Sequence, residues 1–322
     1  MSLVEALGYS MEDRLLIVNA DDFGMCRSAN EGIRQLLEEG AVSSSTLMMP
    51  CAWAKDAAKW SAAHPEYDVG VHLTLTSEWD TYKWGPVTRE ESTATLVTNE
   101  GYFPEDVLTV ELQAEDEQVE RELKNQVKLA IAMGMDPTHL DSHMGSVYGL
   151  ATGRHFLNVV FDICAEYGLP FRMPRQPRIP FGEDIPEEVA KRTAELAALA
   201  DARGVVILDY LLGLPFSTVP KESYEEFRGH MADLLRSMRP GVSEIIIHPS
   251  RVTDELTAIH SEYERRGMEW QIFRDPFIQN VLKEEGIHMI VGWICGRSSA
   301  PDRRGFTGME GLVVSSSLLE RK

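Results

Sequence analysis

The chain has 322 residues, 43% of them hydrophobic, enough for one large α/β domain or two ordinary ones with a sizeable core. Its formal net charge of -20 argues against nucleic acid and anionic lipid as partners, and no apolar run is long enough to span a bilayer. The start of the chain lacks the basic and apolar segments of a signal peptide, and Cys26, Cys51, Cys164 and Cys295 form no C-x-x-C pair, so free thiols in a reducing cytoplasm are expected.

Leu15-Leu16-Ile17-Val18 reads as a buried strand. It runs into Asn19-Ala20-Asp21-Asp22-Phe23-Gly24, where two adjacent carboxylates at a strand end are costly to bury without a cation. Ser28 is placed to cap a helix reaching about Glu39, with Ile33, Leu36 and Leu37 on its apolar face. A strand over 42–49, a helix over 53–63 and a strand over 69–75 containing His72 follow. Residues 77–111 then lose any sustained period. Trp79, Tyr82, Trp84 and Phe103 mark this stretch as a packed, lid-like insertion on the substrate side.

A helix over 115–133 stops at Pro137. The strand that follows carries His139, Asp141 and His143, which share one face by the period of two. Beyond it the pattern predicts a helix over 154–167, a short strand over 169–173, a Pro-rich connection and an Ala-rich helix over 187–203. A strand over 205–208, a helix over 221–238, a strand over 242–249 ending at His248-Pro249, a helix over 270–284 and a last strand over 288–293 complete the series. The Ser-, Arg- and Gly-rich tail, 296–322, is expected to cross the surface, and its apolar residues from Leu312 to Val314 are compatible with a homodimer.

Such alternation implies a mostly parallel sheet. Seven or eight strands in one domain over residues 1–295 favour a (β/α) barrel of the TIM type, with its chemistry at the C-terminal strand ends. Asp21 and Asp22, His72, His143 and His248 all fall there. Each alone reads as a cap or a core residue; the signal is their coincidence at four strand ends. An Asp with two His suits a divalent ion that keeps open positions. Such an ion lowers the pKa of water and polarises a carbonyl. A neighbouring carboxylate can serve as general base, and a further His can protonate a leaving group or steady an oxyanion. No nucleophile elbow, P-loop or G-x-G-x-x-G accompanies these residues.

The pieces Leu16 through Gly24, Gly70-Val71-His72-Leu73-Thr74-Leu75-Thr76, Pro137 through His143, Arg172 with Arg175-Gln176-Pro177, and His248-Pro249 together resemble the YdjC-like carbohydrate deacetylases. The resemblance implies a distorted barrel related to the polysaccharide deacetylases, and removal of acetyl groups from N-acetylated sugars or oligosaccharides. It implies one divalent ion, Mg2+ or Zn2+, on Asp22, His72 and His143, with Asp21 as base and His248 as acid or orienting group. His139 and Asp141 would fix ring orientation, and Arg175 would tune a carboxylate or touch the sugar. One departure stands out: where chitooligosaccharide members continue with further histidines, this chain has Met144-Gly145-Ser146-Val147. Two other readings stay open here, another metal-dependent barrel enzyme (a sugar isomerase or phosphoester hydrolase) and a non-catalytic carbohydrate-binding relative.

Overall fold

A strand covered on both faces can be apolar without interruption, and β1 (Arg14–Phe23) has nine of its ten residues buried. It is the centre of the computed structural model, which describes residues 2–177, 186–217 and 221–291. The other strands are β2 (Ser44–Leu47), β3 (Val69–Leu73), β4 (Leu140–Ser142), β5 (Tyr210–Leu212), β6 (Gly241–Ile247) and β7 (Ile287–Met289). All pairings are parallel, in the order β4-β3-β2-β1-β6-β5. β6 runs along one edge of β1; β7 and β2 share the other, β7 at its start and β2 at its end.

The two ends of the sheet are joined. Arg172 N–H donates to Leu140 O, Phe171 N–H to Val206 O, Leu208 N–H to Met173 O and Asp209 N–H to Val242 O. The segments expected as strands over 169–173 and 205–208 are therefore staves held by single bridges, and the sheet closes into a distorted barrel. The helices α1 (Leu3–Ala6), α2 (Arg27–Glu38), α3 (Ala54–Ala63), α4 (Val107–Gln113), α5 (Asp116–Ala132), α6 (Leu157–Tyr167), α7 (Glu187–Asp201), α8 (Tyr224–Arg236), α9 (Asp254–Ile259), α10 (Tyr263–Ile272) and α11 (Pro276–Glu284) connect the staves.

Local expectations fail where a distant group takes over. Ser28 is not the cap of α2. Cys26 holds that position, and the free N–H groups of Arg27 and Ser28 donate to the Glu255 carboxylate at 3.3 and 2.8 Å. The helix expected over 270–284 is two, because Pro276 opens α11 under an Asp275 cap. Residues 154–156 stay out of α6; Arg154 instead donates to the carbonyls of Glu111 and Ala114. Trp293 at the end of the last expected strand, Cys295 and the 296–322 tail lie outside the described residues. No helix among the described residues is long and apolar enough to cross a membrane.

The barrel interior changes character from bottom to top. Leu15 and Ile17 join Val4 of α1, Leu208, Val242 and Ile290 in a small apolar cluster. Asn19 and Asp21 continue the same face of β1 upward. Leu16, Val18 and Ala20 face the main core under the helices. Strict alternation would send Asp22 to that outer side as well. Instead the register with β2 shifts between Ala20 and Phe23, and Asp22 takes φ 68°, a left-handed conformation that Asp tolerates better than most residues. The break lets neighbouring carboxylates serve one site. The insertion is stitched on beside it: Trp84, Leu96 and Phe103 are buried in the main core, Trp84 Nε1 donates to Thr76 O at 2.7 Å, and Tyr82 Oη donates to Met25 O at 2.6 Å.

Candidate active site

Three donor atoms converge at the top of the barrel. Asp22 Oδ1 stands 3.6 Å from His72 Nε2 and 3.4 Å from His143 Nδ1, and the two ring nitrogens are 3.3 Å apart. Donors about 2.1 Å from a tetrahedral ion lie roughly 3.4 Å from one another, so the triangle has the size a divalent ion needs. Asp22 Oδ1 is buried and has no hydrogen-bond partner, the condition in which a carboxylate oxygen calls for a cation.

Each ligand candidate is held from behind. His72 Nδ1 donates to Asp141 Oδ1 at 2.7 Å, which leaves the Nε2 lone pair turned to the triangle. His143 Nε2 donates to Glu78 Oε2 at 3.0 Å, which leaves Nδ1 free in the same way. Asp22 Oδ2 accepts from Arg266 Nη2 at 2.8 Å. The H-x-D-x-H face thus divides: β4 ends at Ser142, and His143 begins a 3-10 turn that aims its ring at the triangle.

Asp21 is bonded differently. Its two oxygens accept from Arg172 at 2.6 and 2.7 Å, and Oδ1 also takes Asn19 Nδ2 at 2.8 Å. Its Oδ2 is 3.6 Å from His72 Nε2, at the edge of the triangle. Arg172 also pairs with Asp141 at 2.7 Å and with Glu244. Asp21, His72 and Asp141 form a second group with ligand-like spacing, but there the cation is already the guanidinium.

The remaining candidates fall at different distances from this centre. His248, just past β6, stands beside Glu269, whose Oε2 accepts the His248 backbone N–H at 2.6 Å and lies 3.7 Å from the ring Nδ1, which is buried without a hydrogen-bond partner. Its ring meets Phe216 edge-on at 4.9 Å. Asp141 stands behind His72 as expected. His139 does not orient either ring: it sits lower in the barrel among Thr138 Oγ1 (2.9 Å), Asp68 (3.5 Å) and Ser44 Oγ (3.5 Å). Its place explains Gly70, where a Cβ would come within 2.5 Å of His139 O. Arg175 lies apart from the triangle. The carboxylate it grips is Asp201 on α7, at 2.5 and 2.9 Å, and the guanidinium on Asp21 belongs to Arg172.

Charge is distributed accordingly. Burial opposes ionisation of Asp21, but Arg172 and His72 outweigh it and keep the carboxyl well below its usual range. Asp22 is lowered likewise against burial by Arg266 and His143. Burial would lower His143, yet Glu78 and Asp22 push it up to about 10. His248 is also raised against burial, by Glu269, Asp22 and Asp21. The carboxylates around the triangle thus favour positive charge between them, as a proton on His143 or as a bound ion. Reading by sequence missed Glu78, Arg266, Glu244 and Glu269, and it quoted Arg172 without giving it a role.

A family model described as YdjC-like protein matches residues 15–284. The chain belongs to the YdjC-like family. A carbohydrate deacetylase of Thermus thermophilus is 32% identical over 285 residues, 88% of this chain and 95% of that protein. Another, from Thermoanaerobacter pseudethanolicus, is 27% identical over 274 residues, 85% and 96% of the two chains. Among solved structures, a putative cellobiose-phosphate cleavage protein from Enterococcus faecalis superposes with a TM-score of 0.68 at 25% identity, covering 87% of this chain and 97% of that one. The family match bears out the resemblance carried by the strand-end motifs, and the Enterococcus structure bears out the fold.

Proposed function

We propose that this YdjC-like protein is a metal-dependent carbohydrate deacetylase that hydrolyses the amide of an N-acetylated sugar or oligosaccharide. The observation that carries the reading is the buried triangle of Asp22, His72 and His143 with its orphan carboxylate oxygen, set against an ionised Asp21. The carbohydrate deacetylases among its full-length relatives agree with it. A divalent ion held by the three residues would lower the pKa of a water and polarise the acetyl carbonyl. Asp21 takes the proton from the attacking water. Because Arg172 makes it a weak base at rest, proton transfer goes with attack rather than before it. His248, charged beside Glu269, would protonate the amine as acetate leaves. Two imidazole donors favour a zinc-type ion over magnesium. A two-ion phosphoester hydrolase fits less well, since Arg172 fills the only other ligand-like group among the described residues. Three buried free thiols, Cys26, Cys51 and Cys164, agree with a cytoplasmic location.

The test is acetate release. Chelator-treated protein should release none from N-acetylglucosamine or its oligomers, and Zn2+ or Mg2+ should restore turnover. Ion-loaded protein that frees no acetate from any acetylated amino sugar tried would sink the reading.

A further inference from the structure

The segment over 77–111 reads from sequence as a cover for the substrate. Its root does something else. Glu78, the second residue of the insertion, reaches back under the site, and its Oε2 accepts from His143 Nε2 at 3.0 Å. The next residue, Trp79, lies 5.6 Å from the guanidinium of Arg266, which in turn holds Asp22 Oδ2 at 2.8 Å. Trp84 meets the His143 ring edge-on at 6.0 Å. The barrel itself supplies the corresponding partner only to His72, through Asp141.

We propose that Glu78 is a positioning residue of the ion site: it fixes the tautomer and plane of His143, so that the insertion is a built-in part of the metal centre. This rests on His143 being an ion ligand, as argued above. The chemistry is that of a carboxylate behind a ligating imidazole. It keeps the proton on the far nitrogen, makes the near nitrogen a better donor, and stops rotation about the ring axis. The hydrogen bond is directional and one-fifth exposed on the glutamate side, and the polypeptide on either side of it is anchored independently. Ser77 N–H donates to Pro104 O at 2.7 Å, and Val87 and Thr88 are held through their N–H groups by Glu122, at 3.0 Å each. Glu78 is thus not needed to keep the insertion in place.

Chelator competition on the full chain tests this, with Co2+ as the probe and its visible absorption as a second readout. Glu78→Ala should bind Co2+ about 10–100-fold more weakly than the unaltered protein and shift the absorption band. Glu78→Gln, which keeps an acceptor oxygen but not the charge, should fall between, and it carries the test if the alanine variant does not fold. Glu122→Ala, which loosens the insertion at 87–88 without touching His143, should bind as the unaltered protein does. Unchanged affinity and spectrum in Glu78→Ala, or in Glu78→Gln where it stands in, overturns the proposal while leaving the ligand set intact. An equal loss in Glu122→Ala also overturns it, by showing that Glu78 only docks the insertion. If the unaltered protein takes up no Co2+, or His143→Ala takes it up equally well, the ion-site reading falls and this proposal falls with it.

Discussion

The site has two halves that are built in opposite ways. On the barrel side, Asp21 and His72 are braced by Asn19, Thr46, Asp141 and Arg172, all pointing inward from staves of the sheet. On the rim side, Asp22 and His143 are braced by Arg266 of α10 and Glu78 of the insertion. Both oxygens of Asp21 are bonded, whereas Asp22 Oδ1 is buried without a partner. Neighbouring aspartates thus differ in what they can still accept. In the proposed reaction Asp21 is the acceptor of the proton, and Asp22 keeps an oxygen for the ion.

The largest effect should come from exchanging that division of labour. Asp21→Asn keeps the shape and removes the charge, so turnover should drop by about 10²–10⁴. Metal content should hold, because the three ligand candidates are untouched. Acetate-release kinetics beside elemental analysis check both. A parallel loss of metal would erase the distinction between the two halves.

Arg172→Met strikes the barrel half alone. It leaves Asp21, Asp141 and Glu244 buried together without their shared cation, and losing one partner of a buried ion network costs about 3–5 kcal/mol. Denaturant unfolding of the metal-free variant measures it. A loss below about 1 kcal/mol would mean that the carboxylates take up protons cheaply, and that the guanidinium shared by Asp21, Asp141 and Glu244 is not what sets this half apart.

These halves were also unequally legible. Period two along a strand put His139, Asp141 and His143 on one face, and the coincidence of strand ends gathered Asp21, Asp22, His72 and His143. Asp22 joins its neighbour through a register shift and a left-handed φ that no periodicity announces. Neither reading pointed to the partner of His143. Glu78 follows no period, and Arg266 lies 244 residues from the carboxylate it holds. No local pattern marks such pairs. The barrel was legible from strand-helix alternation, including the closing staves expected over 169–173 and 205–208, which pair only through single bridges. His139 was misjudged for a related reason. Sharing a face with His143 does not mean sharing its height in the barrel.

Gly70→Ala sharpens the barrel half by a smaller step. The added methyl would meet backbone as well as ring, at 2.5 Å from His139 O and 2.7 Å from the imidazole, so neither neighbour can swing away freely. Overpacking of this kind costs typically about 1–3 kcal/mol. Because His72 lies two residues along β3 on the same face, the shift should also weaken metal binding, seen as a lower thermal midpoint together with incomplete metal loading. Full loading at a lowered midpoint would confine the strain to the lower barrel and separate His139 from the site altogether.

The smallest effect should come from Arg175, to which the resemblance gave a role that it did not give to Arg172. The two guanidiniums lie three residues apart and each makes a two-pronged carboxylate pair. Their surroundings differ: the Arg172 side chain is 3% exposed and the Arg175–Asp201 pair is 34% and 55% exposed. Water screens the second pair, and a pair of that kind contributes about 0–1 kcal/mol. Arg175→Ala should therefore leave kcat and metal content at the level of the unaltered protein and move stability by no more than that. A raised KM with unchanged kcat would show that Arg175 touches the sugar beyond the reach of the barrel half. A fall in kcat would show that the contrast between buried and exposed arginine is not what decides function here.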